Sequence, residues 1–237
     1  MGELLIKDKE IVTPGQVLAV GMDYLPAQNS FREGDKVISS VIGITSVSGR
    51  LIRIISLRGK YSPKEGDTVI GKILDMSFNN WFVDIDCAAD AVLSMREVSE
   101  FVERGADLSQ YYTFGDIILV GVSKVTRSAI ELSMRGPGLR KLFGGVLLKV
   151  NPSKVPRIIG KQGSMINTIK DSTGCKISVG QNGFVWIQGE PEKELIAVDI
   201  INLISKEAHK EGLTDKITGL LQEKLGKQNE REKQSKD

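Results

Sequence analysis

Cysteine, histidine and aromatic residues are all scarce in this chain of 237 residues, and each shortage removes a class of function. The two cysteines, Cys87 and Cys175, lie far apart, and neither has a CxxC partner or a neighbouring histidine at metal-ligand spacing. No metal site and no disulfide framework is therefore expected, and both read as reduced, small hydrophobic side chains of an intracellular, cytoplasmic protein. The single histidine, His209, has no nucleophile or carboxylate arranged around it and reads as a solvated helix-end residue rather than a general base. No catalytic residue and no cofactor is expected. Long apolar runs are missing as well: stretches such as "IILVGV" at 117–122 are far too short to cross a bilayer, so no membrane partner is expected. The opening residues, "MGELLIKDKE", mix acids and lysines where a secretory signal needs a basic start and an apolar run. With aromatics at only 5%, any aromatic on a polar strand face becomes informative.

The net charge of +2 hides an uneven distribution. Residues 1–62 carry eight basic and six acidic groups, and residues 63–135 carry seven and twelve. Residues 136–189 carry eight basic groups against one acid, Asp171, and residues 190–237 carry nine and eleven. A concentrated basic segment in a nearly neutral chain fits either a polyanion site or a solvated basic face, and charge alone does not choose between them.

Turn signals divide the chain into a small N-terminal β domain (1–62), a second β zone (63–136), a third zone of mixed α/β character (137–226) and a tail (227–237). The first zone has short Val- and Ile-rich runs split by glycine turns, as in "REGDKVISSVIGITSVSG". In the second, "NNWFVDID" alternates with period two, placing Trp81, Val83 and Ile85 on one face and Phe82, Asp84 and Asp86 on the other. Further strands are expected at 91–95, 116–125 and 129–134, with a more helical 96–105 between them. Five short strands with one long connection suit an OB-fold barrel. The pattern "GDTVIGKILDM…FVDI…AVLSMREVS…GDIILVGVSKV…IELSMR" resembles the S1 domain, an OB-fold RNA-binding module. Where that family has a stacking aromatic before the central strand this chain has Asn79, and where it often has a histidine this chain has Ser94. Single-stranded RNA needs planar groups for its bases and cations for its phosphates. Lys72, Trp81, Phe82, Arg96, Lys124 and Arg127 are the barrel candidates, with Trp81 equally readable as barrel core.

In the third zone the elements follow the order β-α-α-β-β-α: "GGVLLKVN", "PSKVPRII", "SMINTIKDSTG", "CKISVGQ", "FVWIQG" and a long helix over 191–212. Asn182-Gly183 marks a hairpin corner, and Leu195, Ile196, Ile200, Leu203 and Ile204 are read as the buried stripe of the last helix. Gly160 and Gly163 are expected to let an RNA backbone approach closely, beside helix-start amides that favour phosphate. Arg157, Gly160, Lys161, Gln162, Gly163 and Ser164 are the candidate RNA contacts, although a bare Gly-x-x-Gly also suits a plain corner between two helices, and Ile158, Ile159, Ile166 and Ile177 are a candidate apolar platform for bases, some of them equally readable as core of the helix stripe. "IIGKQGSMINTIKDSTGCKISV" resembles the signature of a type I KH domain, whose loop holds about four nucleotides of backbone. The tail "KQNEREKQSKD" has no apolar residue and is expected to be disordered.

For phosphoryl-transfer chemistry the best available carboxylate pair is Asp84 and Asp86, which reads better as solvated barrel surface. A mainly β chain with this domain order, together with the junction "GKYSPKEGDTVIGKI", resembles the RNA-binding cap subunit of the archaeal exosome. That resemblance implies a non-catalytic role in RNA degradation. It also implies three copies on a ring of RNase PH-like subunits, the N-terminal domain docking on the ring and the S1 domains surrounding the pore that takes in single-stranded RNA. A free-standing RNA-binding factor is the alternative, and a ribonuclease the more distant one.

Overall fold

Glycine turns at the ends of short β-branched runs separate seventeen strands among the described residues of the computed structural model, with helical segments gathered toward the C-terminal end. Those residues are 2–57, 59–100, 102–103, 105–126, 129–207, 213–214, 216–221 and 224. The chain forms two compact units, Met1–Gly59 and Lys60–Asp237. In the first unit the strands are β1 (Glu3–Leu4), β2 (Ile11–Val12), β3 (Val17–Val20), β4 (Leu25–Pro26), β5 (Ser30–Glu33), β6 (Lys36–Ser39), β7 (Gly43–Ser48) and β8 (Leu51–Ser56). They assemble into two four-stranded sheets, β1-β3-β6-β5 and β2-β7-β8-β4. Ile6, Val12, Leu18, Ala19, Val37, Ile52 and Ile54 form the core of this unit. Alternation along β8 buries Ile52 and Ile54 and exposes Leu51, Arg53 and Ile55, the pattern of a sheet covered on one face only.

The second unit begins with a closed barrel. Its strands β9 (Thr68–Met76), β10 (Asn80–Asp84), β11 (Ala91–Ser94), β12 (Ile117–Val125) and β13 (Ile130–Ser133) run in the order β13-β11-β10-β9-β12, and β12 pairs back onto β13. The β11–β13 pair is parallel and the others antiparallel, which is the OB-fold arrangement. Trp81, Val83, Leu93, Ile118, Val120 and Ile130 point inward, as period two requires. No helix forms among the described residues of 96–105. The four-residue spacing of Val98 and Val102 that imitates a helical face instead drops both side chains from an irregular connection into the barrel core.

After the barrel, β14 (Arg140–Leu142) adds to the free side of β12, and the KH region follows. It comprises β15 (Val146–Lys149), a 3-10 turn (Pro152–Lys154), α1 (Val155–Ile159), α2 (Ser164–Thr173), β16 (Lys176–Val179), β17 (Phe184–Gln188) and α3 (Pro191–Glu207). The sheet order is β15-β17-β16. Val185 and Ile187 face the helices, whose buried residues include Val155, Ile158, Ile166 and Ile169. The stripe of α3 is Ala197, Ile200, Ile201 and Ile204, which pack with α1, α2 and β17; of the residues expected in it, Leu203 is half-buried and Leu195, on the side turned away from that core, is 66% exposed. His209 and the tail 227–237 lie outside the described residues.

The other face of the KH sheet packs on the barrel. Trp186 joins Ile70, Leu119 and Leu142 in a separate buried cluster, so β9 and β12 are covered on both faces. Their continuous apolar runs, "TVIGKI" and "IILVGV", are the sequence counterpart of that double coverage. At the end of β9 no longer paired by β10, the KH hairpin takes over the ladder. Gln181 N–H donates to Thr68 O (2.8 Å), and the Asn182 side chain bonds both backbone groups of Ile70. Asn182 also donates to Ile85 O (3.0 Å) and is fully buried.

Candidate nucleic-acid interface

The turn between α1 and α2 is built by conformations that side chains resist. Asn151 starts the approach by accepting from Ser153 N–H (3.0 Å), and Pro152 and Pro156 sit at first-turn positions where a missing N–H costs nothing. α1 ends at Gly160 with φ 77° and ψ 175°, a region essentially confined to glycine. Gln162 (φ 53°) and Gly163 (φ 80°) are both left-handed, and Ser164 N–H closes the turn on Lys161 O. A Cβ on Gly160 would lie 2.7 Å from Met165 N, whereas one on Gly163 would meet only Asn167 Nδ2 at 3.5 Å. The two glycines are therefore required by the turn itself, Gly160 by φ and packing and Gly163 by φ, before any RNA is considered. Arg157, Lys161, Gln162 and Ser164 are exposed around this turn, with Gly160 and Gly163 half-buried between them.

The apolar platform needs correction. Ile158, Ile166 and Ile177 are buried in the KH core, because the helix stripe and the inward strand face claim them, and only Ile159 remains partly accessible.

On the barrel, Trp81 is withdrawn from the RNA candidates. It is fully buried, its ring meets Tyr112 edge-on at 5.3 Å between centroids, and its Nε1–H donates to Tyr112 O (3.2 Å). An indole whose N–H has a partner is a finished core element, with no face left for a base. Phe82 lies on the outer face, 37% exposed, between Asp75 on β9 and Val92 on β11. Lys72 stands opposite Asp84 and Lys124 opposite Glu131. Register thus sets each of these lysines beside a carboxylate, which offsets their pull on phosphate. Arg96 borders a recess with Asn79, Asn80, Ser94 and Met95. Arg127 lies outside the described residues.

Phe78, which the sequence reading passed over, is 96% exposed at the tip of the β9–β10 hairpin. Its signal was a phenylalanine between Ser77 and Asn79 in a turn, where neither strand face could bury it. Phe78 and the Asn79–Arg96 recess share this end of the barrel, since Met95 N–H donates to Asn79 O (2.9 Å).

Asp84 and Asp86 are each engaged by local partners. Asp84 accepts from Asp86 N–H (2.8 Å) in a turn, and Asp86, left-handed at φ 59°, pairs with Lys149 of the KH sheet (2.8 Å). Asp86 has therefore left the strand face on which alternation had put it. No group of three or more metal-ligating side chains occurs among the described residues. Burial pushes the Cys87 thiol up, and the charges of Asp84, Asp86 and Asp90 push it the same way, so it stays protonated. Burial alone would raise Asp116, but its bonds to Lys141 and to Thr113 N–H outweigh that and hold the carboxyl below its ordinary value.

Comparison with known proteins agrees with this architecture. Residues 146–203 match the KH domain, residues 60–124 the S1 domain of RRP4, and residues 9–58 the N-terminal domain of the exosome RNA binding protein RRP4. The exosome complex component Rrp4 of Methanobrevibacter smithii is 42% identical over 219 residues, covering 92% of this chain and 72% of the relative. That of Pyrococcus furiosus is 40% identical over 237 residues, covering 98% and 89%. A crystal structure provisionally described as an exosome complex RNA-binding protein superposes with a TM-score of 0.64 at 33% identity, covering 72% of this chain and 99% of that one. Identity of this extent, running through all three regions, shows that the chain belongs to the Rrp4 family of exosome complex components.

Proposed function

We propose that the chain is a non-catalytic, cytoplasmic RNA-binding cap subunit of an exosome. Three copies sit on a ring of RNase PH-like subunits, capture single-stranded RNA and feed it through the pore to phosphorolytic 3′–5′ active sites in the ring. The observation that carries this reading is the KH turn. Its backbone is fixed in left-handed conformations while Lys161, Gln162 and Ser164 are presented to solvent, within a segment of eight basic groups and one acid. The relatives are named as exosome complex components, which supports membership of an exosome. Within the N-terminal unit, the outer face of β2-β7-β8-β4 exposes Ile11, Leu25, Leu51 and Ile55, a surface suited to docking on the ring. Phe78, Phe82 and Arg96 on the barrel supply a weaker second RNA contact, weakened by Asp75, Asp84 and Glu131. Weak sites repeated around one pore gain avidity that no single one has.

The test is affinity purification of the tagged full chain from its host, followed by mass measurement of the intact assembly. A ring complex with three cap copies is expected. A lone monomer bound to RNA would replace this reading with that of a free-standing RNA-binding factor.

A further inference from the structure

The barrel and the KH sheet meet along β14, and beside that seam lies a cleft assigned to neither module. Its lining includes Arg140, Lys141, Phe143, Lys176 and Trp186, together with Glu100 and Tyr111. Phe143 is unusual within it. The residue is 66% exposed, yet its backbone is clamped: Gln188 Nε2 donates to Phe143 O (2.8 Å) and Trp186 Nε1 to Gly144 O (2.7 Å). Gly144 and Gly145 follow with φ of 61° and 71°, and a Cβ on Gly145 would strike Ile187 O at 2.2 Å. The peptide carrying Phe143 is therefore fixed against β17, although the residue is largely exposed.

The cations around it are also held in place. Lys141 pairs with Asp116 and lies 5.3 Å over the Phe143 ring, capping one face. Arg140 lies 6.0 Å over Trp186. Lys176 is the strand partner of Gln188, which holds Phe143 O. Among the described residues neither Arg140 nor Lys176 has an ion-pair partner, and both are exposed. An aromatic plane on a rigid backbone, with two uncommitted cations beside it, loses little entropy on receiving a base and its flanking phosphates.

We infer that this cleft is a third RNA contact, taking one nucleotide of a single strand with its base on Phe143 and the adjoining phosphates on Arg140 and Lys176. The inference rests on the RNA-handling reading above. The cleft lies within the single compact unit formed by the barrel and the KH region, so a strand held there lies beside both modules.

The full chain is tested by fluorescence anisotropy with labelled single-stranded RNA across a salt series. Phe143→Ala is expected to weaken binding about five- to tenfold, and Phe143→Trp to restore it. The double variant Arg140→Gln/Lys176→Gln is expected to make the slope of log affinity against log salt shallower by about 1.4, the value for two lost phosphate contacts on a single strand. These side chains are exposed, so an unchanged thermal midpoint verifies the fold. If Lys161→Asp/Gln162→Asp weakens binding while the Phe143 and Arg140/Lys176 variants leave both affinity and slope unchanged, the cleft assignment is overturned and the RNA reading survives. If the unaltered chain binds no RNA at all, both fall together.

Discussion

The side-chain amide of Asn182 bonds both backbone groups of Ile70, accepting from its N–H (3.2 Å) and donating to its C=O (2.7 Å), across 112 residues of sequence. A strand edge that the barrel leaves open is thereby paired by a turn from the KH region, so two modules share one hydrogen-bonding ladder.

Asn182→Ala removes partners from three buried backbone groups: Ile70 N–H, Ile70 C=O and Ile85 C=O. A loss of about 2–4 kcal/mol is expected, since each unpaired buried group costs about 1–3 kcal/mol and water recovers part of it. Urea unfolding followed by tryptophan fluorescence should then resolve barrel and KH transitions that coincide in the parent chain. Gly180→Ala is expected to act similarly, because its Cβ would lie 2.4 Å from Asn182 Oδ1.

In the KH turn, the two glycines should respond unequally. Gly163→Ala meets no close atom and should cost only the left-handed backbone penalty, about 1–2 kcal/mol. Gly160→Ala adds a collision with Met165 and should cost more. Thermal midpoints of the two variants give the order directly.

Lys161→Asp/Gln162→Asp reverses the charge at one exposed position and adds a negative charge at the next, and should weaken RNA binding at low salt about tenfold or more without moving the thermal midpoint. Unaltered affinity would remove this turn from the mechanism.

The barrel aromatics should separate by role. Trp81→Ala is expected to lose about 3–5 kcal/mol of stability, as deletion of a fully buried aromatic does. Phe78→Ala should leave stability unchanged and reduce RNA affinity if the hairpin tip stacks a base. Parallel denaturation and anisotropy measurements on both variants check the pair.

Asp116 gives the pH dependence its sign. Its folded-state value lies below the ordinary 3.8, so its pairing with Lys141 stabilises the fold fully above that value and is lost as pH falls through the folded value. Between pH 7 and pH 3 the parent chain should therefore lose more thermal stability than Asp116→Asn. Tyr61 acts at the other end: burial, and then its bond to Asp67, raise the phenol above 10.0, so that stability is present below 10.0 and is lost as pH rises beyond it. Tyr61→Phe should flatten the alkaline side of the profile.

The isolated chain, supplied with magnesium, phosphate and radiolabelled RNA, is expected to leave the RNA intact on a denaturing gel. Processive shortening would instead favour a ribonuclease.

Much of the barrel and of the KH order was legible because both obey local rules. Period two in "NNWFVDID" sets Phe82 and Trp81 on opposite faces of one strand, and Gly174 ends α2 in a left-handed conformation (φ 68°). The same rules misread 96–105, where Val98 and Val102 have helical spacing but reach the core from a loop, and Leu195, where the choice of face depends on what the helix meets.

What the sequence alone determined are features carried by neighbours in the chain: strand alternation, the Gly-x-x-Gly turn between two helices, the basic run of 136–189 and the order of the modules. Only the tertiary structure decided which lysines stand beside carboxylates, that Phe143 is held rigid yet exposed, and that the hairpin corner Asn182-Gly183 also joins two modules. Those properties depend on groups brought together from far along the chain. Local propensity carries no information about strand register or about which backbone edge will be left without a partner.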